Sequence, residues 1–96
     1  MKPSTALKNH RDAVRAVTHR FRATNPRVFG SVATGQDREG SDLDLLVDPL
    51  PGATLFDLGG LQVELEELLG VRVDVRVPGD LPLKVRNRVL AQARAI

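Results

Sequence analysis

Between Val71 and Val77, four valines alternate with Arg72, Asp74 and Arg76. A period of two puts the valines on one face of an extended chain and the charges on the other, the pattern of a half-buried strand. Such a strand cannot bury its apolar face alone, so the chain must supply a sheet and something to cover it. The segment Asp42 to Asp48 supplies a second strand, with Leu43, Leu45 and Val47 pointing one way and Asp42 and Asp44 the other. Pro49 and Pro51-Gly52 end it. Arg27-Val28-Phe29 is a third candidate, leading directly into Gly30-Ser31.

Helical spacing fills the remainder. Residues 4–23 predict a helix, with Ser4 or Thr5 as its cap, an apolar stripe of Leu7, Val14, Val17 and Phe21, and Asn25-Pro26 as its stop. A second helix runs from about Leu55 to Leu69 on Leu58, Leu61, Leu65, Leu68 and Leu69, with Gly70 closing it. Its interior Gly59-Gly60 pair costs about 1 kcal/mol per glycine relative to alanine, which implies a late start or a close approach by another backbone. Residues 82–95 predict a last helix, with Val85, Val89, Ala93 and Ile96 on one side. The order α-β-β-α-β-α specifies an α/β (α+β) fold, a small mixed sheet of three or four strands backed by helices. At 96 residues the chain reads as a single domain over 1–96. A unit this small buries only about 60–65% of its unfolded surface, so a partner surface can matter to it.

Composition narrows the function. There is no cysteine, hence no disulfide framework. No apolar run approaches the roughly 20 residues a membrane span needs, and the first residues lack a signal peptide's apolar stretch, so a cytoplasmic protein is expected. Phe21, Phe29 and Phe56 are the only aromatic residues, too few for a base-stacking surface, so direct nucleic-acid binding is not expected. The net charge of +2 is unevenly spread. Lys8, Arg11, Arg15, Arg20, Arg22 and Arg27 precede the acidic centre, and Lys84, Arg86, Arg88 and Arg94 follow it. That frame suits a site holding metal and an anionic substrate, although solvated helix faces would look the same.

Two features of the segment Gly30 to Val47 carry chemistry. Asp42 and Asp44, two apart on a strand, project from one face with α-carbons about 6.5 Å apart. Carboxylates held that close repel, and a divalent cation removes the conflict. Magnesium prefers oxygen ligands, and two such ions can serve the attacking and leaving oxygens of one in-line displacement. Taken alone, Asp-x-Asp is equally an exposed strand face that happens to carry two acids. Gly30-Ser31 is the second feature, since glycine allows a phosphate close to the backbone, and turn amides and the serine hydroxyl can donate to it. By itself it is an ordinary turn. His10 and His19 read as surface or partly buried residues of the first helix.

Together, Gly30-Ser31, ten intervening residues, and Asp42-x-Asp44 before an apolar run resemble the signature of the DNA polymerase β-like nucleotidyltransferases. More closely, the whole chain resembles the minimal nucleotidyltransferases (MNT), the antitoxin half of HEPN–MNT toxin–antitoxin pairs. The resemblance implies transfer of AMP from ATP, with two Mg2+ ions, to a hydroxyl, expected to be a tyrosine, of a HEPN-domain RNase toxin in a hetero-oligomer. It assigns Asp42 and Asp44 to both metals and adds Asp74 as a third carboxylate, which could instead form a surface pair with Arg72 or Arg76. It assigns Gly30 and Ser31 to the outer phosphates. Many relatives carry a basic residue near the position of Thr34, so Arg38, or a basic residue of another chain, is expected to supply that charge, or nucleotide affinity is reduced. The alternative from another class is a non-catalytic antitoxin that neutralises its toxin by occlusion, through the leucine-rich helix and the basic closing helix. Free-standing transfer to a small molecule is a weaker third reading, because no acceptor-binding domain is present in these 96 residues.

Overall fold

Leu43, Leu45, Leu46 and Val47 have no exposed surface, which puts their strand, β2 (Leu43–Pro49), inside a sheet with cover on both faces. The computed structural model describes residues 1–96. β2 pairs antiparallel with β1 (Ala23–Phe29) and parallel with β3 (Val73–Arg76), and β1 also pairs with a two-residue strand, β4 (Arg94–Ala95). The order is β3-β2-β1-β4. The expected mixed sheet backed by helices is the fold observed.

A parallel neighbour requires a crossover, and α4 (Leu55–Leu69) provides it. Its start is locally encoded: the Thr54 hydroxyl accepts from the Asp57 N–H at 3.3 Å, and the Asp57 carboxylate accepts from the Thr54 N–H at 2.9 Å. Gly70, at φ +69°, ends it. Leu61, Leu65 and Leu69 bury against the sheet face that carries Leu43, Leu45 and Val47. Gly59-Gly60 lies well inside this helix, so a late start does not explain the pair. A Cβ on Gly60 would sit 2.6 Å from the Phe21 ring, whereas one on Gly59 would meet nothing within 4 Å. The close approach is made by an aromatic ring, and a backbone plays no part.

The first helix departs from the expected continuous 4–23 segment. It divides into α1 (Pro3–Asn9) and α2 (Arg11–Arg20), with His10 at φ −137° between them. Lys2 occupies the cap position, so neither Ser4 nor Thr5 caps the helix. The Ser4 N–H instead donates to the buried carboxylate of Asp37, at 2.9 Å. Burial pushes the Asp37 pKa up, but the hydrogen bonds from Ser4 and its own N–H outweigh it and hold the carboxyl below its ordinary value. Asn25-Pro26 does not end the helix. The chain leaves α2 at Phe21, and β1 runs through the proline with a register shift between Thr24 and Arg27. Proline is tolerated there because a bulge leaves its missing N–H unneeded.

The closing helix, α5 (Leu83–Gln92), is shorter than the expected 82–95 and has no fully buried residue. Ala93 turns extended, and β4 covers part of the outer edge of β1. The opposite edge is also closed: the Val73 N–H donates to Glu66 Oε2 at 3.1 Å and the Val75 N–H to Gln62 Oε1 at 3.2 Å, both from α4. Leu46 shares a strand face with Asp44 and lies outside the main core, on the side where the turn Pro78–Asp80 packs. No helix is long and apolar enough to cross a membrane.

Candidate active site

Strand register assembles the site. Asp44 lies opposite Phe29 of β1 on one side and Asp74 of β3 on the other, so Gly30 and both carboxylates meet across three strands. Gly30 has φ +67°, a conformation side chains rarely adopt, and a Cβ there would lie 2.3 Å from Asp44 Oδ2. Backbone and carboxylate touch only because residue 30 has no side chain. The short helix α3 (Gly30–Thr34) follows, with no side chain capping its start, and Ser31 in its first turn is half-buried. The Thr34 hydroxyl is turned back to the Ser31 carbonyl at 3.2 Å.

The charges form a cluster. Burial first, then Asp74 and Asp42, push the Asp44 pKa above the ordinary carboxylate value, and Arg76 only partly opposes them. Asp42, exposed just before β2, accepts from Arg72 Nε at 3.2 Å. Asp74 accepts from Arg76 Nε at 3.1 and 3.2 Å. Asp74 is thus on the expected face and also makes the surface pair weighed against a metal role. With these side chains turned to arginines, no three acidic or histidine side chains are gathered as a ready metal cage.

Arg38, expected to bring the missing positive charge, stands exposed on the loop after α3, and only its backbone N–H is engaged, by Ser41 Oγ at 2.9 Å. The basic groups that do reach the carboxylates are Arg72 and Arg76. They were readable in the sequence as the polar neighbours of Asp74 on β3, and the structure makes them part of the site. The site itself is open: the three surface grooves, of about 520, 530 and 310 Å³, are lined by neither Asp44 nor Asp74. All three carboxylates are oxygen donors, and the missing side chain of Gly30 lets the Asp44 carboxylate lie against the backbone. A donor set of this kind fits hard divalent cations such as magnesium together with a nucleotide.

Comparison with known proteins agrees. The nucleotidyltransferase domain family matches residues 10–96. The chain belongs to this family. Within it, a protein of Methanocaldococcus jannaschii named as a protein adenylyltransferase is 41% identical over 66 residues, 69% of this chain and 71% of that one. The protein adenylyltransferase MntA of Thermococcus cleftensis is 37% identical over 73 residues, 76% of this chain and 74% of that one. A solved minimal nucleotidyltransferase superposes with a TM-score of 0.84 at 47% identity, covering 100% of this chain and 95% of the other. A toxin–antitoxin structure with AMP-PNP shares the fold, with a TM-score of 0.74 at 17% identity over 88% of this chain and 69% of that one. The chain is therefore a minimal nucleotidyltransferase, and nucleotide chemistry is its family's trade.

Proposed function

We propose that this nucleotidyltransferase is an antitoxin that transfers AMP from ATP to a hydroxyl, a tyrosine by expectation, of a HEPN-domain toxin with which it assembles. The observation that carries the reading is the packing of bare Gly30 against Asp44 with Asp74 in register beside it. A surface of incidental acids has no use for a glycine held at positive φ against one of them. The names of its relatives, protein adenylyltransferases, and the toxin–antitoxin likeness support the same direction.

In this reading Asp42, Asp44 and Asp74 hold Mg2+, which supplies charge neutralisation at the attacking and leaving oxygens. Gly30 and Ser31 bring backbone and hydroxyl donors to the outer phosphates, and Gly30, having no side chain, lets Asp44 stand beside them. The half-buried Asp44 carboxylate, disfavoured as a lone anion, gains most from a cation. The open site leaves room for a protein acceptor to complete it.

The test incubates wild type and the Asp42→Asn/Asp44→Asn double variant with ATP, magnesium and the candidate toxin, then weighs the toxin by mass spectrometry. An adenylyl mass increment with wild type alone is expected. If neither protein adds mass and both still silence the toxin, the antitoxin acts by occlusion.

A further inference from the structure

Each outer carboxylate of the site is held by an arginine two residues along from Asp74. Arg72 lies against Asp42 and Arg76 against both oxygens of Asp74, while Asp44 between them has no hydrogen-bonded partner. Arg76 uses only Nε for this, its two terminal nitrogens have no protein partner, and half of its side chain is exposed. Arg72 is 81% exposed. No other basic side chain pairs with these carboxylates: Thr34 carries no charge, and the Arg38 guanidinium is unengaged on its loop.

We propose that Arg76, with Arg72 in support, is an exchangeable counter-cation that yields Asp74 to a divalent metal and then binds the phosphates of the nucleotide. This rests on the reading of Asp42, Asp44 and Asp74 as metal ligands. A single Arg76 N–H is shared by both Asp74 oxygens, at the position a metal chelated by the two would take, so such a metal must displace the guanidinium. A displaced guanidinium beside a dication is repelled unless an anion arrives with it, and a planar donor fork matches phosphate oxygens. A triphosphate therefore draws Arg76 off Asp74 and so favours the metal, and the metal in turn favours the triphosphate. Such coupling must be reciprocal. It also supplies the phosphate-facing charge missing at Thr34 from within this chain.

The experiment measures Mn2+ binding without nucleotide by electron spin resonance, and ATP binding in the presence of Mn2+ by calorimetry. Wild type is compared with Arg76→Gln, Arg76→Lys and Arg72→Gln, with thermal melts to confirm folding. In Arg76→Gln, Mn2+ alone should bind about threefold tighter, the scale of a half-exposed ion pair. ATP should bind about tenfold weaker, the scale of a lost charged hydrogen bond to phosphate. Arg76→Lys should recover part of the ATP affinity, and Arg72→Gln, whose residue is too exposed to disturb packing, should shift both affinities the same way by less. Tighter Mn2+ with unchanged ATP affinity would reduce Arg76 to a repelling neighbour and overturn the exchange. Unchanged affinities for both would reduce the pairs to surface decoration. If wild type itself binds no Mn2+, the reading of the three carboxylates as metal ligands fails, a different failure from either of these.

Discussion

Gly30 is the residue where conformation and chemistry coincide. Its φ of +67° and the 2.3 Å separation between a built Cβ and Asp44 Oδ2 act together against any side chain. Gly30→Ala should therefore lose more than about 1 kcal/mol of stability in urea titrations, from backbone strain alone. Transfer should fall further still, as the intruding methyl turns Asp44 away. Asp44 makes the opposite bargain. Its folded pKa is raised, so the ionised group works against the fold, a cost absent below the ordinary value of about 3.8 and complete above the raised one. Asp44→Asn should raise the melting temperature of metal-free protein at neutral pH while abolishing transfer. The gain should widen as melts are repeated upward from about pH 4 and vanish below it. An equal gain at every pH would show that charge is not its cause.

At the scale of elements, two neighbouring glycines of α4 predict opposite outcomes. Nothing lies within 4 Å of a Cβ on Gly59, so Gly59→Ala should stabilise by about 0.5–1 kcal/mol through helix propensity. On Gly60 the same methyl would meet the Phe21 ring at 2.6 Å, and displacing that ring should cancel the helical gain and cost about 1 kcal/mol net. Paired denaturation curves measure both. The edge of β3 gives a further prediction. Gln62 and Glu66 occupy the outward N–H groups of Val75 and Val73. Replacing both by Ala should speed hydrogen exchange at Val73 and Val75 and promote concentration-dependent association visible by light scattering, because the sheet then offers an unpaired edge.

For the whole molecule, the site is a junction of three strands with no deep pocket around it, so it depends on its ligands as much as they depend on it. Magnesium and ATP together should raise the melting temperature of wild type, by an amount equivalent to about 2.7 kcal/mol at ligand concentrations a hundredfold above Kd. The Asp42→Asn/Asp44→Asn variant should show no such rise, and an equal rise in both would place the nucleotide elsewhere. The sequence alone determined a good deal of this molecule. Period-two alternation marked β2 and β3 and the parity of Asp42, Asp44 and Asp74, and period-3.6 leucines with the Gly70 stop marked α4, because these signals are local. Tertiary structure decided the rest. The bulged β1 through Asn25-Pro26 and the β4 cover exist because an unpaired sheet edge needs partners, which overrides the local helix signals at residues 21–23 and 93–95. It also decided that Arg72 meets Asp42, since which charges face one another across strands depends on register between segments far apart in the chain, whereas the Arg76–Asp74 pair, two residues apart on one strand, is local.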